Sequence, residues 1–101
     1  MANTKGTPGG WSDPMPATPK IQGYADAVKP QVQEALGKDF AVYKAVLYIE
    51  QVVAGMNYKI KINVGGTNFI HVLLFVSLQG LVEFNQAWGG LKEDDPLEPP
   101  K

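Results

Sequence analysis

Hydrophobic and polar positions divide the chain into four stretches. From Ile21, apolar residues recur at helical spacing as Ile21, Tyr24, Ala25, Val28, Val32, Ala35 and Leu36, one stripe along one helix. Thr18-Pro19 supplies a hydroxyl N-cap and a proline at the first helical position, and Gly37 supplies the stop. Pro30 removes a backbone donor inside that helix and should bend it. From Phe40 the period changes to two. Residues 41–50 are mostly apolar, and Lys59, Lys61 and Asn63 alternate with Ile60, Ile62 and Val64 as in a half-buried strand. Gly65-Gly66-Thr67-Asn68 marks a tight turn, residues 69–78 a further strand, and residues 81–88 a last one. Before the helix, residues 1–16 are rich in Gly, Pro and small polar groups and read as an irregular arm with Trp11 docked on the core. After the strands, residues 91–101 form an acidic, Pro-rich tail expected to end against solvent. The pattern predicts a single α+β domain over residues 1–101, one long helix laid across a curled antiparallel sheet of four to five strands, with residues 1–10 as a flexible arm.

One connection breaks the pattern. Residues 51–55, Gln-Val-Val-Ala-Gly, join two strands, yet the tip is apolar where a turn usually carries Asn, Asp, Gly or Pro. An exposed apolar tip is unfavourable in water unless a partner covers it.

Composition narrows the function. Of 101 residues 45% are hydrophobic and 19% charged, an ordinary globular balance, and the net charge of −1 gives no basis for binding nucleic acid or an anionic membrane. The chain has no cysteine, hence no disulfide framework, thiolate nucleophile or zinc–thiolate site. The N-terminus lacks the apolar core of a signal peptide, and the apolar run from Val72 to Val76 is too short to span a bilayer. The sole histidine, His71, has no evident partner for acid–base or metal chemistry. Glu93-Asp94-Asp95 is not spaced as a calcium loop, and Gly65-Gly66 and Gly89-Gly90 lack the context of a phosphate loop. No catalytic residue, metal or cofactor is expected, which leaves a binding module or a self-associating protein.

The order of motifs resembles the stefins, the cysteine-free type 1 cystatins. Pro8-Gly9-Gly10, PATPKIQ at 16–22, VKPQ at 28–31, KAV at 44–46, QVVAG at 51–55, NY-x-IKI at 57–62 and HV-x-x-F-x-SL at 71–78 fall in register, and the tail from Lys92 to Leu97 is similar. The resemblance implies the cystatin fold, a cytoplasmic location and reversible inhibition of papain-like cysteine proteases such as cathepsins. It also implies a three-part contact: Pro8, Gly9 and Gly10 in the arm; Gln51, Val52, Val53, Ala54 and Gly55 in the first loop; and Leu78 and Gln79 in the second. Three features depart from the family. Leu78-Gln79 stands where Leu-Pro is usual, Met56 replaces a threonine, and Trp88-Gly89-Gly90 is unfamiliar. Leu47, Ile49 and Leu73 put apolar groups on the expected outer sheet face. They raise the alternative of a diverged or engineered stefin scaffold that binds proteins or itself, as a domain-swapped homodimer or one formed face to face.

Overall fold

A computed structural model describes residues 10–100. Five strands form one antiparallel sheet in sequence order: β1 (Met15–Pro16), β2 (Lys44–Val53), β3 (Gly55–Asn63), β4 (Phe69–Val76) and β5 (Val82–Leu91). Two helices, α1 (Pro19–Ala27) and α2 (Lys29–Leu36), lie between β1 and β2 in sequence and pack on one face of the sheet. The α+β class and the helix-on-sheet arrangement are those expected. The single long helix is not: Pro30 divides it at Val28, whose φ of −106° and ψ of 7° end one helix and start the next.

Local chemistry explains each helix end. Thr18 Oγ1 accepts from Ile21 N at 3.3 Å, which caps α1. Pro30 has no N–H to continue the ladder, so carbonyls near the break need other donors. Ala25 O accepts from Val28 N at 3.3 Å and from the Tyr43 hydroxyl at 2.9 Å. Gly37, at φ +69°, ends α2, with Lys38 N donating to Gln33 O at 3.1 Å. Ile21, Ala25, Val28 and Val32 are buried and Tyr24 and Leu36 partly so, whereas Ala35, expected in the same stripe, is exposed beyond the break.

The core lies between the helices and Tyr58, Ile60, Ile62, Ile70, Val72, Leu74 and Val76. The Gln22 amide ties helix to sheet, accepting from Ala45 N at 2.8 Å and donating to Tyr43 O at 3.1 Å. Register shifts between Ala45 and Leu47 on β2, and twice along the β4–β5 pair, bend the strands and curl the sheet around the helices.

The two ends of the chain behave differently from expectation. Met15–Pro16 pairs with Tyr48 and Leu47 as an edge strand, so the second half of the arm is ordered. The tail does not end against solvent but crosses the outer face of the sheet. Lys61 Nζ donates to Glu93 O and, at 2.7 Å, to Asp95 O, while Lys59 Nζ donates to Glu98 O at 2.8 Å. Lys59 also lies over the Trp88 ring, 4.5 Å from its centroid. Leu97 is buried, as are Lys59 and Lys61, which alternation alone had marked as the polar side of a half-buried strand. Two ammonium groups are tolerated there because tail carbonyls accept hydrogen bonds from them.

Candidate functional site

The apolar connection at 51–55 is the tip of the β2–β3 hairpin. β2 ends at Val53 and β3 begins at Gly55, with Ala54 between them. Val53 is opposite Gly55, and Val52 opposite Met56. Gly55 has φ +115°, and a Cβ on it would lie 2.6 Å from both Phe75 Cζ and Val76 O. The tightest part of the loop thus rests against β4 and needs glycine for conformation and for space. Val53 and Ala54 are exposed, and Gln51 Oε1 accepts from Asn57 Nδ2 at 2.8 Å below the tip.

Strand pairing brings a second tip alongside. Met56 pairs with Val76, so β4 ends beside the start of β3. The chain reverses through Leu78, Gln79 and Gly80, with Gly80 at φ +88°. Gly80 N donates to Ser77 O at 2.9 Å, Ser77 N to Leu81 O at 2.9 Å, and Leu81 N to Ser77 Oγ at 3.0 Å. Leu78 and Gln79 are both exposed.

The arm reaches the same end of the sheet. It runs antiparallel to β2: Ala17 N donates to Val46 O at 2.9 Å, Ser12 N to Glu50 O at 2.8 Å, and Glu50 N to Ser12 Oγ at 3.0 Å. Trp11 bridges to Gln51 and is half-buried there, outside the main core cluster. Gly10 therefore stands beside the first tip, while Pro8 and Gly9 lie outside the described residues. The pairing that carries Gly10 to this position depends on Ser12, a residue with no sequence signature for it.

The second set of candidates behaves differently. Leu47, Ile49 and Leu73 share the outer face with Lys59, Lys61 and His71. Ile49 is only 1% exposed, Leu47 and Leu73 are half-buried, and the tail crosses the same face. Ile49 is therefore no part of an open apolar face, and the tail that Lys59 and Lys61 hold crosses the face on which Leu47 and Leu73 lie.

Among the described residues no acid–base constellation stands at the tips. His71 is buried on the outer face opposite Lys61 and Trp88, and its Nε2 has no hydrogen-bond partner. Burial, then Lys59 and Lys61, push its pKa down to about 4 against the opposing pull of Asp95. Among the described residues no three His, Cys, Asp or Glu side chains gather as metal ligands, and no helix is long and apolar enough to cross a membrane.

A family model described as a cystatin domain matches residues 9–95. The chain is 50% identical over 70 residues to leukocyte cysteine proteinase inhibitor 1 of Sus scrofa, covering 69% of this chain and 68% of that one. It is 47% identical over 92 residues to cystatin-A of Mus musculus, covering 89% of this chain and 95% of that one. It is 51% identical over 70 residues to stefin-C of Bos taurus, with 69% of each chain covered.

Proposed function

Since this chain belongs to the cystatin family, in its stefin branch, we propose that it is a reversible, tight-binding inhibitor of papain-like cysteine proteases, cathepsins among them, working in the cytoplasm. The observation that carries the reading is the convergence of the arm, the 51–55 tip and the 77–81 turn at one end of one sheet. Three chain segments on a shared rigid support make a wedge. The small residues Val53, Ala54 and Gly55 let backbone enter a narrow slot, where a large side chain would hold it off. Pro8, Gly9 and Gly10 lie along the non-primed subsites, and the glycines let the arm turn away before a peptide bond reaches the nucleophile. Leu78 and Gln79 touch the primed side. Inhibition is occupation without a carbonyl in attack position, so the chain supplies no catalytic group.

A specific interface of ordinary size buries about 1,600 Å² in total. Nanomolar affinity corresponds to about −12 kcal/mol, and the entropy of ordering the arm subtracts from the gross gain. Preorganisation of both hairpins limits that loss. The test is an activity assay of papain and of a cathepsin with the unsubstituted chain and with Gly9→Glu. The unsubstituted chain is expected to inhibit both, and Gly9→Glu to be weaker, because its carboxylate crowds the arm and is desolvated. No inhibition at micromolar protein, with a native circular dichroism spectrum, would contradict the reading.

A further inference from the structure

The β4–β5 turn holds a residue that the three-part contact does not use. Leu81 is 71% exposed, almost as open as Leu78 at 77%. Its backbone is fixed nonetheless. Its N–H donates to Ser77 Oγ at 3.0 Å, and its carbonyl accepts from Ser77 N at 2.9 Å. The turn hydrogen bond from Gly80 N to Ser77 O and the left-handed Gly80 complete a three-residue hairpin loop. An exposed leucine on a mobile loop needs no explanation; one on a doubly bonded backbone beside another does.

Strand alternation gives its direction. Val76 pairs with Val82, and both pack towards the helices. Ser77 and Leu81, one step further along each strand, belong to the opposite face, with Phe75. Val53 lies on that face too, across from Gly55, whose missing Cβ would touch the Phe75 ring. Val53, Leu78 and Leu81 account for three of the five large hydrophobic residues exposed among the described residues. All three are at the end of the sheet that carries the proposed wedge.

We infer that Leu81 is a protease-contact residue that widens the second loop, pairing with Leu78 against an apolar wall on the primed side of a papain-type cleft. The inference rests on the proposed inhibitory function and adds a residue that determines affinity and preference among such proteases. A protease with a polar or charged primed wall would gain little from it, because a leucine there strands polar groups without partners.

The test uses papain and the full chain as wild type, Leu81→Ala, Leu81→Met and Leu78→Ala. Leu81→Ala is expected to weaken inhibition by about 10-fold, the scale of losing most of one buried leucine, mainly through faster dissociation. Leu81→Met, which keeps volume and apolarity, is expected to retain most of the affinity. Melting temperatures should not change, since the side chain is exposed, and this separates contact from a structural role. An unchanged dissociation constant for Leu81→Ala while Leu78→Ala is weakened overturns this inference alone. So does a Leu81→Ala variant that alters self-association but not protease affinity. Failure of the wild-type chain to inhibit papain overturns the proposed function, and this inference with it.

Discussion

Gly55 shows how a residue's role depends on a strand twenty positions away. Its φ of +115° disfavours any side chain, and Phe75 and Val76 occupy the space a Cβ would need. Gly55→Ala is therefore expected to lose about 2–4 kcal/mol of stability, combining left-handed strain with overpacking, as measured by urea unfolding. A loss below the error of that measurement would contradict this account of the tip. The motif around Gly55 was legible in the sequence; the Phe75 ring that enforces it was not, because strand register decides it. His71 carries a second residue-scale consequence. Its pKa is about 4 when folded against an ordinary value of 6.5, so between these pH values the unfolded chain takes up a proton that the folded chain refuses. Stability present above pH 6.5 is thus lost as pH falls towards 4, by about 3 kcal/mol from this group. Unfolding at pH 7 and pH 4.5 should show a steeper decline in wild type than in His71→Gln; equal declines would show that His71 titrates as if exposed.

At the level of elements, the sequence was most readable where hydrogen bonding and period coincide. Thr18-Pro19 and Gly37 marked the helical segment's ends, and Pro30 marked its weak point, though Pro30 produced a full division at Val28 instead of a bend. Strand β1 was invisible, since two residues with proline carry no period; its pairing comes from β2's free edge. The tail was misjudged for a related reason. Its composition is that of a solvated segment, but its hold on the sheet runs through the backbone carbonyls of Glu93, Asp95 and Glu98, which no side chain advertises. Leu97→Ala should lower stability by about 2–3 kcal/mol, as for a buried leucine at a partly collapsible site. Removing residues 92–101 should uncover the face that includes Leu47, Ile49 and Leu73 and leave Lys59 and Lys61 to water. Light scattering over a concentration series is expected to find this shortened chain self-associating through that face, as an exposed apolar patch favours. A shortened chain that stays monomeric at high concentration would show that these residues form no docking surface.

For the molecule as a whole, architecture and the proposed function meet at one end of the sheet. A meander in sequence order sets the β2–β3 and β4–β5 hairpins side by side, and the arm's pairing with β2 brings Gly10 to the same edge. The helices hold the inner face and the tail crosses the outer one, and the hairpin tips carry three of the five large hydrophobic residues exposed among the described residues, Val53, Leu78 and Leu81. The central claim is that this end enters a papain-like active site and stops there. Its most direct test is a titration of a known concentration of active papain with the chain, read by hydrolysis of a fluorogenic peptide. Activity should fall linearly to zero at one chain per enzyme and return on dilution, and mass spectrometry should recover the chain intact. Undiminished papain activity at micromolar concentrations of natively folded chain, or cleavage within residues 51–55, would contradict the claim.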